Sequence, residues 1–125
     1  MYASILNITF DCADARAQAL FWAAVTGWAA EERDGTPGHA EYAVVPPGEC
    51  TPQLYFTTVP EPKTAKNRLH LDLIPPGDDP RAELARLLGL GATVADTQPP
   101  GVSWLLLADP ERNEFCLEGA GAAAA

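Results

Sequence analysis

The sequence predicts an α+β fold made of two similar halves, because one pattern of residues occurs twice. Residues 14–28 begin with Asp14, which can cap a helix, and end beside Gly27. Residues 79–92 repeat this pattern, beginning with Asp79 and ending beside Gly91. An alternating, strand-like segment precedes each run, at residues 5–11 and 68–74. Solenoids need three or more repeats, so two copies indicate a duplicated supersecondary unit.

The first half reads as a strand, a helix and two further strands. Residues 5–11 alternate with period two, which places Leu6, Ile8 and Phe10 on one face. Asp14 can cap a helix that ends at Gly27. Helical spacing predicts one buried stripe on it, made of Ala17, Leu20, Phe21, Ala24 and Trp28. Residues 33–38 read as a polar turn, and residues 39–45 and 53–59 as strands.

The second half repeats this order. Residues 68–73 alternate most regularly, with three leucines on one face and Arg68, His70 and Asp72 on the other. Asp78 or Asp79 caps a helix whose predicted buried stripe is Leu84, Leu87 and Leu88. A short strand at 92–95 and a hairpin of residues 103–108 and 114–118 complete the unit.

Composition excludes some classes of function. Seventeen acidic against eight basic residues give a net charge of −9, which argues against nucleic acid or an anionic membrane as partner. The start of the chain lacks the pattern of a signal peptide, and the three cysteines show no metal-binding or disulfide spacing. We therefore expect a cytoplasmic protein with reduced thiols. The Gly/Ala tail, residues 119–125, is expected to be flexible.

Three segments, in order along the repeat, carry a resemblance to a known family. They are Asp14 through Phe21-Trp22 to Gly27-Trp28, then residues 59–73 with the run Lys66-Asn67-Arg68-Leu69-His70-Leu71-Asp72-Leu73, and residues 108–115 with Asp109-Pro110-Glu111-Arg112-Asn113. The chain resembles the small glyoxalase-like domain proteins of the vicinal oxygen chelate (VOC) superfamily, which includes glyoxalase I, extradiol dioxygenases, and fosfomycin-resistance and bleomycin-binding proteins.

The resemblance implies one domain, residues 1–118, made of two βαβββ modules that form a cup-shaped mixed sheet with helices outside. The modules are expected at about residues 1–62 and 63–118. Homodimers are common among relatives, so a homodimer is expected as well. The resemblance also places Arg112 where relatives carry glycine, and a positive φ there would cost on the order of 1 kcal/mol.

Carried over from metal-dependent relatives, the metal-ligand positions fall on Asn7, Gln53, His70 and Cys116. This set joins two neutral amides and a soft thiol to one imidazole, and it suits no common ion. We therefore expect no cofactor. If a divalent metal does bind, His70 and Gln53 are the expected ligands.

Alternation defines the polar side chains of the predicted cup. They are Asn7, Thr9, Asp11, Gln53, Tyr55, Thr57, Arg68, His70, Asp72, Glu114, Cys116 and Glu118. His70 and Asp72 lie two positions apart, and a nearby carboxylate can orient an imidazole for acid–base catalysis. These two are the candidate catalytic residues. The alternative is that His70 is a hydrogen-bonded wall residue and that Asp72 pairs with Arg68.

The candidate ligand-binding residues are Asn7, Thr9, Gln53, Tyr55, Arg68 and Cys116. Cys116 could instead be a nucleophile, although a lone cysteine in a strand is more often a small core residue. The leading hypothesis is a protein that binds a small organic molecule in its β-cup without a catalytic metal, by sequestration or His/Asp acid–base chemistry. The alternatives are a metal-dependent lyase, isomerase or dioxygenase, in which Gln53, Glu114 or Glu118 could join His70, and a non-enzymatic interaction module whose cup is filled.

Overall fold

The computed structural model describes residues 1–95 and 98–121. The chain divides into two compact units, Met1–Lys63 and Thr64–Ala125. Unit 1 contains four strands and one helix: β1 (Asn7–Cys12), α1 (Ala15–Thr26), β2 (Ala29–Asp34), β3 (Glu41–Val45) and β4 (Gln53–Thr58). Unit 2 has the same order: β5 (Asp72–Leu73), α2 (Pro80–Leu90), β6 (Thr93–Val94), β7 (Leu105–Ala108) and β8 (Glu114–Leu117).

The two sheets share one topology. The strand order is β1-β4-β3-β2 in unit 1 and β5-β8-β7-β6 in unit 2. β1 runs parallel to its neighbour β4, and β5 runs parallel to its neighbour β8. All other neighbouring strands are antiparallel. The prediction of an α+β fold with two βαβββ modules is confirmed.

Equivalent caps begin and end the two helices. Oδ1 of Asp14 accepts a hydrogen bond from the Ala17 amide at 3.0 Å, and Oδ1 of Asp79 accepts one from the Ala82 amide at 3.0 Å. Each bond satisfies an amide that has no partner within its helix. Gly27 and Gly91 close the helices with φ of 74° and 114°, values that favour glycine. The repeat in the sequence is therefore a repeat of helix boundaries.

The core of unit 1 is aromatic. Phe10 of β1 stacks on Phe56 of β4, with ring centroids 4.9 Å apart, and its ring lies 5.6 Å from that of Trp22 on α1. Trp22 and Phe56 are buried. These contacts join the helix to two strands of the same sheet and agree with the predicted apolar face of the first strand.

The predicted apolar stripe of α1 is wrong for most of its members. The buried face contains Trp22 and Val25 together with Ala15, Gln18, Ala19 and Phe21, whereas Leu20 is 48% exposed. The helix is apolar on more than one side, so periodicity alone does not select the face. In α2, Leu84 and Leu87 are buried as predicted, but Leu88 is exposed. Glu83, which was not predicted to be buried, is the third buried residue of this helix.

Two strand predictions also need correction. The predicted polar turn at 33–38 overlaps β2, an edge strand whose residues are almost all exposed and therefore show no apolar alternation. The predicted strand at 68–73 is reduced to Asp72–Leu73, and Leu69 is 63% exposed rather than packed. The first ladder bond of β5 is from the Cys116 amide to the Leu71 carbonyl, while the Asn67 amide bonds to the Glu114 side chain.

The end of the described chain is attached to unit 2. Ala120 is buried, and the Gly121 amide donates to the Ser103 carbonyl at 2.9 Å. The start of the predicted flexible tail is thus packed, and its remaining residues, 122–125, lie outside the described residues. Within residues 1–95 and 98–121, no helix is long and apolar enough to cross a membrane.

Candidate functional site

Asp72 holds the imidazole of His70. Nδ1 of His70 lies 3.0 Å from Oδ1 of Asp72, and both side chains are exposed, at 41% and 55%. Asp72 is the first residue of β5, and His70 lies two residues before it. The two side chains are in direct contact, although His70 lies outside the strand on which a shared face was predicted. The carboxylate's partner is therefore His70 rather than the alternative, Arg68.

Cys116 joins this pair from the neighbouring strand. Asp72 and Cys116 are paired in the parallel β5–β8 register, which places them on the same face of the sheet. Sγ of Cys116 lies 3.9 Å from Nδ1 of His70, and the thiol is 4% exposed. We name these three residues the His70 cluster. Asp72 of β5, Cys116 of β8 and His70, which precedes β5, thus form one polar site within unit 2.

The surroundings of Cys116 keep its thiol protonated. Burial raises the pKa of the thiol to about 11, and the charge of Asp72 and a hydrogen bond to its carboxylate act in the same direction. Glu118 adds to the rise, while Lys66 opposes it. A thiolate is the nucleophilic form of cysteine. The raised pKa and the buried position therefore favour a protonated Cys116 that hydrogen-bonds Asp72 over the nucleophile considered from the sequence.

Four predicted ligand-binding residues lie in unit 1 as two cross-strand pairs. Asn7 pairs with Gln53, and Thr9 pairs with Tyr55, across the parallel strands β1 and β4. The Tyr55 hydroxyl donates to the Glu41 carboxylate at 3.3 Å, and burial together with this carboxylate raises the pKa of the phenol. Each pair presents both side chains on one face, as the alternation predicts.

The remaining predicted residues are distributed as follows. Arg68 is exposed and precedes His70 by two residues. His70 and Gln53, the expected ligands of a divalent metal, belong to different units, so their joint role stays a prediction.

A separate open cleft of about 320 Å³ in unit 1 is lined by residues that include Trp28, Glu31 and Glu49, and by none of the predicted site residues.

The His70 cluster brings three potential metal ligands together. One donor atom each from His70, Asp72 and Cys116 lies within 4.8 Å of the others. A separation of 3.0 Å between nitrogen and oxygen is shorter than the roughly 3.4 Å expected for two ligands bound at about 2.1 Å in the tetrahedral geometry of zinc. A thiolate in the set suits a borderline ion such as zinc and does not suit Mn(II), which prefers oxygen ligands. The donor types therefore suit zinc better than manganese, but the observed His70–Asp72 distance does not match tetrahedral coordination.

Sequence reasoning missed hydrogen bonds made by side chains within each unit. Asn67 and Glu114 are hydrogen-bonded to each other across 47 positions of sequence, and Glu41 binds Tyr55 across 14. Asn67 and Glu114 are polar residues in segments already marked by the resemblance, but nothing in their spacing indicates a contact. Only the pairing of the strands brings them together.

Comparison with known proteins identifies the family. Residues 7–118 match the sequence model of the family described as "Glyoxalase-like domain". The chain therefore belongs to this family, and its solved neighbours lie in the glyoxalase/bleomycin resistance/dioxygenase, or VOC, superfamily. No protein of curated function matches the sequence.

Solved structures share the fold at low sequence identity. A mutant of the genomically encoded fosfomycin resistance protein FosX from Listeria monocytogenes, complexed with Mn(II) and 1S,2S-dihydroxypropylphosphonic acid, matches with a TM-score of 0.72 and 12% identity over 95% of this chain and 94% of its own. A glyoxalase-related enzyme from Fulvimarina pelagi matches with a TM-score of 0.61 and 18% identity over 94% and 88%. A superfamily member from Sphaerobacter thermophilus gives 0.63 and 19% over 94% and 97%. These similarities show the fold alone.

Proposed function

We propose that this protein binds a small organic molecule at the His70 cluster without a catalytic metal, and either sequesters it or acts on it by acid–base chemistry. The observation that carries the proposal is the 3.0 Å contact between Nδ1 of His70 and Oδ1 of Asp72. A carboxylate at this distance accepts a hydrogen bond from the Nδ1–H group and so fixes the tautomer of the ring. The imidazole is exposed, which leaves it accessible to a ligand.

This tautomer defines the chemistry that the pair can perform. With the proton on Nδ1, Nε2 carries the lone pair and is the atom that can accept a proton from a bound molecule. The negative charge of Asp72 stabilises the imidazolium that forms, and Nε2 then returns the proton to the same or a neighbouring atom. The net reaction is a proton transfer or an isomerisation, with no other reagent consumed. Cys116 contributes by hydrogen-bonding the carboxylate, which helps to hold Asp72 against the ring.

The test is ligand binding by matched histidine variants. The chain has two histidines, so His70→Gln has a natural control in His39→Gln, at an exposed position of unit 1. A panel of small carbonyl compounds and carboxylic acids is titrated against both variants, Asp72→Asn and wild type, with NMR chemical shifts as the readout. We expect binding that is weakened by His70→Gln and Asp72→Asn and unchanged by His39→Gln. Binding that ignores His70, or no binding at millimolar concentration, contradicts the proposal.

A second measurement separates the two roles. If the pair transfers protons, wild-type protein in D₂O exchanges the acidic protons of a bound carbonyl compound, and ¹H NMR of the ligand shows their loss. Asp72→Asn slows this exchange because it removes the charge that stabilises the imidazolium. Sequestration instead gives binding with no exchange above the rate in buffer.

A metal-dependent enzyme is the second candidate, and the convergence of three donor atoms in the His70 cluster favours it. His70, Asp72 and Cys116 would hold the ion, which would supply Lewis-acid polarisation of a ligand oxygen. Dialysis followed by metal analysis decides between the candidates, with Cys50→Ser as control for Cys116→Ser because Cys50 is exposed in unit 1. Stoichiometric zinc that is lost in Cys116→Ser and retained in Cys50→Ser would replace the metal-free proposal.

A cytoplasmic homodimer remains a prediction. Light scattering coupled to size-exclusion chromatography tests the oligomeric state, with a mass near 13.3 kDa as the outcome that rejects the dimer.

A further inference from the structure

The segment that carries His70 is fastened to β8 by two reciprocal hydrogen bonds. The Asn67 amide donates to Oε2 of Glu114 at 3.0 Å, and the Glu114 amide is paired with Oδ1 of Asn67 at 3.4 Å. Nδ2 of Asn67 also lies 3.4 Å from the Leu69 carbonyl, so the same side chain shapes the turn that follows it. We name this arrangement the Asn67–Glu114 clamp.

The clamp is one of two attachments on either side of His70. On the far side, the Cys116 amide donates to the Leu71 carbonyl at 2.9 Å, where the β5–β8 ladder begins. Only residues 68–70 separate Asn67 from Leu71, and a trans chain spans at most about 3.6 Å per residue. The position of His70 is thus restricted from both ends, although His70 itself lies outside the strand.

Both attachments lead to β8, which also carries Cys116. Glu114 begins this strand, and Cys116 is two residues further on, beside Asp72 in the register. The clamp and the His70 cluster therefore share one rigid element. A shift of Asn67 relative to β8 would move the imidazole of His70 away from Asp72 and Cys116.

We propose that Asn67 and Glu114 are positioning residues for the His70 imidazole. The inference rests on the proposed function of the His70 cluster and extends it to two residues outside the cluster. A bond between an amide and an ionised carboxylate is stronger than a neutral one, so Glu114 is the stronger half of the clamp. The other half is the hydrogen bond that Oδ1 of Asn67 accepts from the Glu114 amide.

The test is the state of the His70 ring in clamp variants, measured without any ligand. Glu114→Ala removes the acceptor of the Asn67 amide, Asn67→Ala removes the return contact, and Glu114→Gln keeps an acceptor oxygen without the charge. The control is Glu32→Ala in unit 1, which deletes the hydrogen bond of 2.9 Å from the Tyr42 hydroxyl and leaves unit 2 unchanged. ¹⁵N NMR of the imidazole, at a pH where the ring is neutral, reports the tautomer and its exchange. Thermal unfolding is recorded in parallel.

We expect wild type to show one tautomer, with the proton on Nδ1. Glu114→Ala and Asn67→Ala should average the two ring-nitrogen signals because the ring no longer stays against Asp72, whereas Glu114→Gln and Glu32→Ala should retain the wild-type pattern. For any ligand found with wild type, the alanine variants should weaken binding by up to roughly tenfold, because binding must then immobilise a side chain that the clamp already holds in wild type.

The outcomes separate this inference from the proposal beneath it. Wild-type ring signals in Glu114→Ala overturn the clamp's positioning role, whatever the ligand data show. Altered ring signals with unchanged ligand binding support the clamp and reject the proposed function of the cluster. If Glu32→Ala lowers the melting temperature as much as Glu114→Ala but leaves the ring signals unchanged, loss of stability does not explain the altered signals of Glu114→Ala. That result rejects a purely structural role for the clamp.

Discussion

The protonated state of Cys116 gives a quantitative prediction for its reaction with an alkylating agent. Its thiol pKa is raised from 9.0 to about 11. At a pH below both values, a rise of two units lowers the thiolate fraction about 100-fold. The thiolate that remains is more nucleophilic, by about tenfold for two units, so the net reaction should be about tenfold slower than that of an ordinary thiol of equal accessibility.

Asp72→Asn tests the electrostatic part of this effect at constant shape. Burial is the largest cause of the raised pKa and Asp72 the next, so the variant should react faster but by less than the full tenfold. Glu118→Gln should give a smaller acceleration, and Lys66→Met should slow the reaction, because the lysine charge lowers the pKa. Site-resolved alkylation by mass spectrometry, in a chelating buffer, measures each rate.

Opening of the fold would also expose the thiol, and a thiol exposed in this way regains its ordinary pKa because its burial is lost. Both routes therefore lower the pH midpoint of the alkylation rate, and a second buried cysteine is needed to detect opening. Cys12 is buried in unit 1 and reports global opening in the same spectrum. A midpoint in Asp72→Asn equal to that of wild type would refute the electrostatic account of this site.

The remaining predictions concern stability, measured by urea denaturation unless stated. Asp14→Ala and Asp79→Ala should each lower the free energy of unfolding by about 1 kcal/mol, and the Asn variants should not; an equal loss with Asn would reject the capping role. Phe56→Ala should cost about 3–5 kcal/mol because the ring is fully buried, and a loss below 1 kcal/mol would reject its place in the core. Arg112 has a φ of 70°, so Arg112→Gly should stabilise the protein by about 1 kcal/mol, and a destabilised variant would show that side-chain contacts outweigh the backbone term. The raised thiol pKa of Cys116 contributes stability that is complete below pH 9.0 and lost as the pH rises through about 11, so melting temperatures of Cys116→Ser should fall less over this range than those of wild type.

Local signals in the sequence predicted the helix boundaries well. An aspartate that caps and a glycine that accepts a positive φ act within one turn, so Asp14, Gly27, Asp79 and Gly91 could be assigned without knowledge of the fold. Arg112, which the family resemblance places where relatives carry glycine, does have a positive φ of 70°. Strand-like segments in the sequence predicted every described strand except β2, and the βαβββ order of each module came from the family resemblance.

Tertiary contacts decided what the sequence could not. The exposed edge strand β2 carries no apolar alternation, and the buried face of α1 is set by the contact between Trp22 and Phe10. β5 contains only two residues, and before it the Asn67 amide bonds to the side chain of Glu114, which is distant in sequence. The pairing of His70 with Asp72 could be predicted because two positions separate them; the Asn67–Glu114 clamp could not.

The duplication also indicates where acid–base chemistry can occur. Asn7 and Asp72 each lie seven residues before the capping aspartate of their own helix, and each begins the strand that runs parallel to the last strand of its sheet. In unit 1 this position pairs with Gln53, so the two side chains are neutral amides that can bind a ligand but cannot exchange protons near neutral pH. In unit 2 it pairs with Cys116 and contacts His70, whose ring can exchange protons there. The same backbone arrangement therefore carries hydrogen-bonding groups in one copy and titratable groups in the other, and an acid–base activity of these paired positions must depend on unit 2.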